Sequence, residues 1–410
     1  MNFKKFLAAT ALAFAMPCFV NAQEAEQAPE KEGWIFSEEV RLPITSMKDQ
    51  NAAGTCWCYS TLSFVEAELL RTTGKTYDFS EMFIVWNTYM DRAQATVRTH
   101  GDISFSQGGS FYDVLYGIKN FGLVPDAEMP AGYKHGDTLS DFSEFSSVCD
   151  PFVEGIVKNR KLQMSPEGTP LWKEALAGIL NAYIGERPET FVYEGKEYTP
   201  QSFAEATGFN PDDYVNLASF SHHPFYEPFI IEVQDNWRWS TAYNLPIDEF
   251  MEVMNYAIDN GYTIAWGSDV SEKGWLRGEN AGIAVVLPDL EARDNNDAGT
   301  DKARWAGLSA AERAKEGYSQ PTPQRWVSQE ERQQAYDNYE TGDDHGMIIY
   351  GKANDQLGNN YFIVKNSWGV TGNYDGTFYA SEAFVRYKTM NIVLHKDALP
   401  KHIKKALGIK

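Results

Sequence analysis

The sequence is poor in basic residues relative to acidic ones. It contains 36 Lys and Arg against 57 Asp and Glu, which gives a formal charge of −21 over 410 residues. A surface of this sign repels the phosphate backbone of DNA and RNA, and no basic stripe offsets it. We therefore expect no nucleic-acid partner.

Long apolar runs are also scarce, and the one candidate lies at the N-terminus. Two lysines precede an apolar stretch at 6–20, and a small-residue site ends at Ala22. This layout predicts a secretory signal peptide at 1–22 that is cleaved after Ala22. The run is too short to span a bilayer, and no later stretch is long enough. We expect an exported protein, periplasmic or secreted, without a transmembrane segment.

Cysteine is rare, with four in the chain. Cys18 is removed with the signal peptide, and Met-Pro before it makes a poor lipid-attachment motif. Cys56, Cys58 and Cys149 remain, and an odd number leaves at least one unpaired thiol. Whether Cys58 and Cys149 pair stays open, although Cys58 fits a core position equally well.

Several common catalytic patterns are missing. The chain has no Gly-x-Ser-x-Gly, no His-Glu-x-x-His and no phosphate-binding loop. His222 and His223 are adjacent, and neighbouring side chains point to different faces of a helix or strand. The sequence therefore predicts no metal site and no cofactor.

The composition is otherwise that of a folded protein, with 43% hydrophobic and 14% aromatic residues. Residues 23–35 are polar and read as a flexible arm. We expect one folded domain over about 36–400 and a short tail at 401–410. Residues 289–317 are charged and predict a surface excursion.

The most informative stretch surrounds Cys56. Apolar residues then recur at offsets of four, three and four, which predicts a helix that ends at Gly74; these residues are Cys58, Leu62, Val65 and Leu69. Gly54 allows a tight turn, so Cys56 falls in the first helical turn. The helix N-terminus favours a thiolate there, which predicts a lowered pKa and a nucleophile. The alternative is a buried packing cysteine.

Two further helices and a hairpin follow. The pattern predicts helices at 79–98 and 111–121 and a buried strand at 263–269. Strand-like runs at 345–352 and 361–366 flank a turn-rich segment. Opposed residues of an antiparallel hairpin have a constant index sum, here about 711–714. His345 and Asn366 should therefore meet, so that the asparagine can hold the imidazole in one tautomer.

These segments resemble the papain-like cysteine peptidases. Gln50 lies six residues before Cys56, as the glutamine of the family's oxyanion hole does. Asp344-His345-Gly346 is similar to the family's histidine segment, and Asn366-Ser367-Trp368-Gly369 matches its Asn-Ser-Trp-Gly. The Ala-Ala-Gly-Thr before Cys56 departs from the papain wording and is closer to the bleomycin hydrolase and aminopeptidase C branch.

The resemblance implies an α+β fold with a helical lobe and an antiparallel β lobe. The long interval between Cys56 and His345 implies helical insertions at about 137–246. Cys56 would be the nucleophile, His345 the base, Asn366 its orienting residue and Gln50 an oxyanion donor. The remaining residues expected at the substrate are Gly108, Gly109, Asp344 and Trp368, with Trp368 shielding the histidine.

Peptides or proteins would be the substrates, and the branch implies aminopeptidase activity and often a homo-hexamer. In those relatives a C-terminal arm restricts the cleft to chain ends, whereas the residues after the hairpin here look shorter than that arm. An open-cleft endopeptidase therefore stays as an alternative. A catalytically silent peptide-binding protein and an acyl transferase acting on amines are the others. Trp237 and Trp239 either border the cleft or anchor a loop.

Overall fold

The structure, a computed structural model, describes residues 33–159, 161–286 and 318–410. The signal peptide, most of the N-terminal arm and the excursion at 289–317 lie outside the described residues, so those expectations stay predictions.

The strands form one large sheet and one small hairpin. Within the described residues they are β1 (Phe36–Arg41), β2 (Phe191–Tyr193), β3 (Lys196–Tyr198), β4 (Tyr214–Ala218), β5 (Pro228–Ile230), β6 (Thr241–Asn244), β7 (Ile264–Ser268), β8 (Ile283–Ala284), β9 (His345–Asp355), β10 (Asn360–Lys365), β11 (Thr377–Ser381) and β12 (Thr389–His395). Nine of them follow the order β5-β6-β4-β12-β7-β9-β10-β11-β8, and β1 pairs with β9 to give a ten-stranded sheet. β2 and β3 form a separate hairpin.

The described helices are α1 (Cys56–Thr73), α2 (Glu81–Arg98), α3 (Phe111–Phe121), α4 (Ser143–Val157), α5 (Leu171–Tyr183), α6 (Pro200–Thr207), α7 (Ile247–Asp259), α8 (Gln329–Asp337), α9 (Glu382–Lys388) and α10 (Lys401–Ala406). The predicted bounds of α1 and α3 are confirmed. α2 begins at Glu81, where the Ser80 side chain accepts a hydrogen bond from the Phe83 N–H. Gly74 ends α1 in the left-handed region at φ 71°.

The two faces of the sheet belong to different cores. Ala265, Ile348 and Val393 join the helical core built around α1, α2 and α3. Their chain neighbours on the same strands, such as Trp266 and Ile349, face the core that contains α7, α9 and α10. This alternation follows from the two-residue period of a strand. The sheet is therefore covered on both sides, and α1 lies directly on the strand that carries His345.

The last residues of the chain belong to this second core. Ile403 and Leu407 are buried in it, so the segment treated as a tail in the sequence forms a packed helix.

Candidate active site

Cys56 is the first residue of α1. Its backbone N–H makes no hydrogen bond among the described residues, because the first N–H groups of a helix have no partner within it. Trp57, the residue after Cys56, packs closely against Gly109: a Cβ added to Gly109 would lie 2.8 Å from the Trp57 ring. The indole nitrogen of Trp57 donates to the carbonyl of Gln107 at 2.9 Å. These contacts of Trp57 fix the position of Cys56 relative to residues 107–109.

The hairpin of β9 and β10 brings His345 to Asn366. Paired residues have index sums of 714 near the turn (Asn360 with Asn354) and 713 beyond a bulge (Lys365 with Ile348), within the predicted range. Nε2 of His345 lies 2.7 Å from Oδ1 of Asn366. The same Oδ1 accepts the backbone N–H of Ser367 at 2.7 Å, which fixes the amide orientation. Nε2 must therefore carry a proton, and Nδ1 is the basic nitrogen.

Trp368 covers this contact. Its ring centroid lies 4.8 Å from that of His345 and 6.0 Å from that of Phe378, whose ring is nearly perpendicular to it. His345 and Asn366 are both buried. Partial exclusion of water strengthens the hydrogen bond between them.

One small cavity joins the two chain segments. Its lining includes Cys56, His345, Gly108 and Gly109, all named from the sequence, together with Asp344. The backbone N–H of Gly346 points at the Cys56 sulfur and favours its thiolate form. Among the described residues no hydrogen bond joins Sγ of Cys56 to the imidazole, as is common in unliganded sites that tighten when substrate binds.

Gln50 lies behind Cys56 and does not line this cavity. It is buried, with Nε2 donating to the carbonyl of Ala53 at 2.8 Å and Oε1 accepting the Ser367 hydroxyl at 2.7 Å. One N–H of its side-chain amide is left for another acceptor. Two backbone hydrogen bonds join residues 48–50 to the segment that follows the β9–β10 hairpin: the N–H of Gln50 donates to the carbonyl of Ser367, and the N–H of Gly369 donates to that of Lys48.

Asp344 is exposed and is held away from the histidine. Its Oδ2 accepts the N–H groups of Val270 and Ser271 at 3.3 and 3.1 Å. Although the residue as a whole is exposed, its carboxyl is partly buried. That partial burial, followed by the contact with Asp269, raises the pKa of the carboxyl. Asp344 therefore shapes the rim of the cavity.

The predicted shift of the Cys56 pKa is wrong for the resting site. Burial raises the pKa of the thiol to about 11, and Asp343 and Asp235 act in the same direction. Burial likewise lowers the pKa of His345 to about 4, against the bond to Asn366. The helix N-terminus is outweighed because a lone charge is poorly solvated in the cavity. Moving the proton from sulfur to imidazole creates both charges together, and their attraction offsets that penalty.

Sequence reasoning missed two acidic residues in the cavity, Asp235 and Asp343. Asp343 could have been found, because it lies two residues before His345 on the approach to a strand. Asp235 gave no signal, since it lies in an irregular segment before β6. Trp237 is buried and Trp239 is 61% exposed, and neither lines the cavity.

The other two cysteines among the described residues are free thiols. Cys58 and Cys149 are both buried and unpaired, so Cys58 is a core residue, as the helical pattern also allowed.

The side chains of His222 and His223 converge, and the prediction that these neighbours point to different faces is wrong. Both rings reach Glu232, with Nε2–O distances of 3.0 and 2.9 Å, because the pair lies in a turn where adjacent side chains can converge. These three residues form a geometric candidate for a metal site. Nδ1 of His222 faces the Gln333 amide N–H at 3.0 Å, which leaves Nε2 protonated toward Glu232. That tautomer suits a hydrogen bond to the carboxylate better than a metal ligand.

No helix in the described part of the chain is both long enough and apolar enough to cross a membrane.

The chain is similar in sequence to known peptidases. Residues 327–409 match the Peptidase C1-like family. Aminopeptidase G of Lactobacillus delbrueckii subsp. lactis is 22% identical over 404 residues, covering 90% of this chain and 84% of the relative. Aminopeptidase C of Listeria monocytogenes is 23% identical over 414 residues, covering 91% and 85%.

The fold matches that of a solved relative. The crystal structure of PepW from Lactobacillus rhamnosis HN001 aligns with a TM-score of 0.65 at 18% identity, covering 91% of this chain and 84% of that one. The predicted α+β papain-like fold is thereby confirmed. The chain therefore has the papain-like fold and resembles cysteine peptidases of the aminopeptidase C type over about nine-tenths of its length.

Proposed function

We propose that the protein is an exported cysteine aminopeptidase in which Cys56 is the nucleophile, His345 the general base and Asn366 the residue that orients it. The observation that carries the proposal is the 2.7 Å contact between Nε2 of His345 and Oδ1 of Asn366, at a cavity shared with Cys56. This contact leaves Nδ1 to accept the thiol proton.

The chemistry then runs in two halves. The proton of Cys56 passes to Nδ1 of His345, sulfur bonds to the peptide carbonyl carbon, and the carbonyl electron pair moves to oxygen. The free N–H of Cys56 and the spare N–H of the Gln50 amide are the donors available to that oxygen. The C–N bond breaks as the imidazolium protonates the leaving amine. Water then attacks the thioester carbon and gives a proton to the imidazole. The C–S bond breaks and releases the carboxylic acid, and the imidazolium returns the proton to the thiolate.

Removal of N-terminal residues is proposed from the named relatives, which are called aminopeptidases. Export is proposed from the sequence at 1–22 alone. A homo-hexamer, which the family resemblance also suggests, is a separate proposal that the size of the purified protein would test.

One assay addresses the activity. Wild-type protein and Cys56→Ala are incubated under reducing conditions with free-amine and N-acetylated fluorogenic peptides, with Cys58→Ala as the control for loss of a neighbouring buried thiol. We expect the wild type and Cys58→Ala to cleave free-amine substrates and Cys56→Ala to be inactive.

Cleavage of acetylated peptides would instead indicate an endopeptidase. Inactivity of the wild type on every substrate would favour a peptide-binding protein. Mass analysis of the protein from the envelope and medium of expressing cells tests export, which requires a mature chain that begins at Gln23.

A further inference from the structure

The cavity beside Cys56 is acidic. Asp235 and Asp343 both line it, and they come from different parts of the chain: Asp235 from the segment before β6 and Asp343 from the loop before β9. Asp235 reaches the site because residue 108 is glycine: an added Cβ there would lie 2.1 Å from its Oδ2. Asp343 is carried by a loop that is fixed where the N–H of Gly342 meets Oδ2 of Asp269 at 2.9 Å.

The positive charge in this neighbourhood does not balance the two carboxylates. Nη1 of Arg92 lies 3.3 Å from Oδ1 of Asp235 and donates more closely to the Gly108 carbonyl at 2.5 Å. Asp343 makes no hydrogen bond or ion pair within the described residues. Burial, with repulsion from Asp235 and Asp344, raises the pKa of Asp343 to about 7. Asp235, Asp343 and Arg92 together carry one net negative charge when both carboxyls are ionised, so one further cation would neutralise them.

The two carboxylates lie near the place that a substrate's terminal amine must occupy when its first carbonyl carbon meets Cys56. In a peptide the α-nitrogen of the first residue lies about 2.5 Å from its carbonyl carbon, and that carbon must approach the nucleophile to within about 3–3.5 Å. A free ammonium group therefore enters the same small space as Sγ of Cys56. The cavity there holds about 40 Å³, whereas one water requires about 10–15 Å³. This space suits an ammonium group. The same two carboxylates also line a second cavity of about 490 Å³.

Segment 232–240, which carries Asp235, is firmly attached to the helical lobe. Arg238 donates to Asp113 at 2.7 Å and to Asp91 at 2.8 Å, which links the segment to α3 and α2. The Asn236 side chain bonds to the carbonyls of Ile231 and Ser240 and closes the segment on itself. Asp235 is thus held against Gly108 by contacts on both sides of it.

Ile409 and Lys410 lie away from this cavity. Ile409 and Lys410 border a different cavity, together with Tyr112 and Tyr116 of α3. Neither residue lines the cavity at Cys56.

We propose that Asp235 and Asp343 bind the N-terminal ammonium group of the substrate, so that these two carboxylates select peptides with a free N-terminus. This proposal rests on the proposed peptidase activity and names the residues that select its substrates.

The test compares Asp343→Asn and Asp235→Asn with wild type on an alanyl fluorogenic amide and its N-acetyl form. Asn keeps the shape of each side chain and removes the charge. We expect kcat/KM for the free-amine substrate to fall at least tenfold in Asp343→Asn, mainly through a higher KM, with the acetylated substrate unaffected or improved. Glu232→Gln is the matched control, because it removes a carboxylate from the same segment but outside this cavity, and it should behave as wild type.

A binding measurement separates this proposal from the enzyme activity. Calorimetry on Cys56→Ala compares alanyl-alaninamide with its acetylated form, alone and with Asp343→Asn or Asp235→Asn added. Asp235→Asn can loosen its segment, so its thermal unfolding is recorded alongside, and Asp343→Asn decides the outcome.

We expect tighter binding of the free amine than of the acetylated form, and loss of that difference in the Asp343→Asn protein. If Asp343→Asn weakens the binding of both ligands equally, or of neither, the proposal is overturned even if the wild type is an active peptidase. A selective loss for N-acetyl-arginyl substrates would also overturn it, because the pair would then bind a basic side chain. If wild type cleaves nothing but free-amine binding still depends on Asp343, the proposed activity fails and the ammonium site stands.

Discussion

The hydroxyl of Ser367 donates a 2.7 Å hydrogen bond to Oε1 of Gln50, across 317 residues of sequence. The backbone N–H of the same serine holds Oδ1 of Asn366. One residue therefore fixes the amide orientation of both the candidate oxyanion donor and the residue that orients His345. This connection joins the loop before α1 to the end of the β9–β10 hairpin.

The first prediction concerns Ser367→Ala. Without the hydroxyl the Gln50 amide can rotate and present its oxygen to the developing oxyanion. The lost hydrogen bond contributes about 1–1.5 kcal/mol, so we expect a five- to tenfold fall in kcat with KM little changed. Gln50→Ala should lose about 10²–10³-fold. Steady-state kinetics on a free-amine substrate measure both, and a fall confined to KM in Ser367→Ala would contradict the role of the contact.

The second prediction concerns Asn366→Ala. This change leaves the Nε2–H of buried His345 without an acceptor and frees the ring to turn, so we expect kcat to fall about 10–100-fold. Asn373→Ala is the control, because that side chain donates to the Glu279 carbonyl on the surface. Alkylation of Cys56 by iodoacetamide at pH 6 provides a second readout. Its rate should fall in Asn366→Ala because the imidazolium that supports the thiolate is no longer oriented.

Local patterns predicted the parts of the site that depend on periodicity. The bounds of α1 and the meeting of His345 with Asn366 follow from helical spacing and hairpin register. The position of Asp235 could not be read in this way, since it depends on a glycine 127 residues earlier and on the ion pairs of Arg238. The pKa of Cys56 was misjudged because burial of the thiol is a tertiary property.

The third prediction concerns protons exchanged on binding. Asp343 has a raised pKa of about 7 and must be ionised to hold an ammonium group. The titratable or charged groups around it are Asp235, Asp344, Cys56, His345, Tyr336 and Arg92. At pH 6, binding of alanyl-alaninamide to Cys56→Ala should therefore release up to one proton. The release should diminish as the pH rises through 7.

Calorimetry in two buffers of different ionisation enthalpy measures this release. Adding Asp343→Asn should abolish most of it at pH 6, leaving the part contributed by Asp235. Above about pH 8 the ligand amine is itself largely neutral and should take up a proton instead. Release that is unchanged by Asp343→Asn would assign the proton to another group.

The fourth prediction concerns stability and a buried lysine. Nζ of Lys48 forms ion pairs with Glu66 of α1 at 3.1 Å and with Glu81 of α2 at 2.7 Å. It thereby connects residues 48–50 to both helices. Lys48→Met leaves two buried carboxylates without a cation, which should remove about 3–5 kcal/mol from the free energy of unfolding. Lys75→Met, which breaks an exposed pair with Glu194, should leave the denaturation midpoint nearly unchanged.

The loss in Lys48→Met should also depend on pH. Burial raises the pKa of Glu81 from 4.5 to about 7 in the folded protein, so the folded state binds its proton more tightly than the unfolded state does. The contribution of Glu81 to stability is thus complete below pH 4.5 and is lost as the pH rises through 7. Without Lys48 the charged form is less favourable still, so urea denaturation should show a larger difference between variant and wild type at pH 8 than at pH 5. An equal difference at both values would mean that the lysine acts through packing and not through its charge.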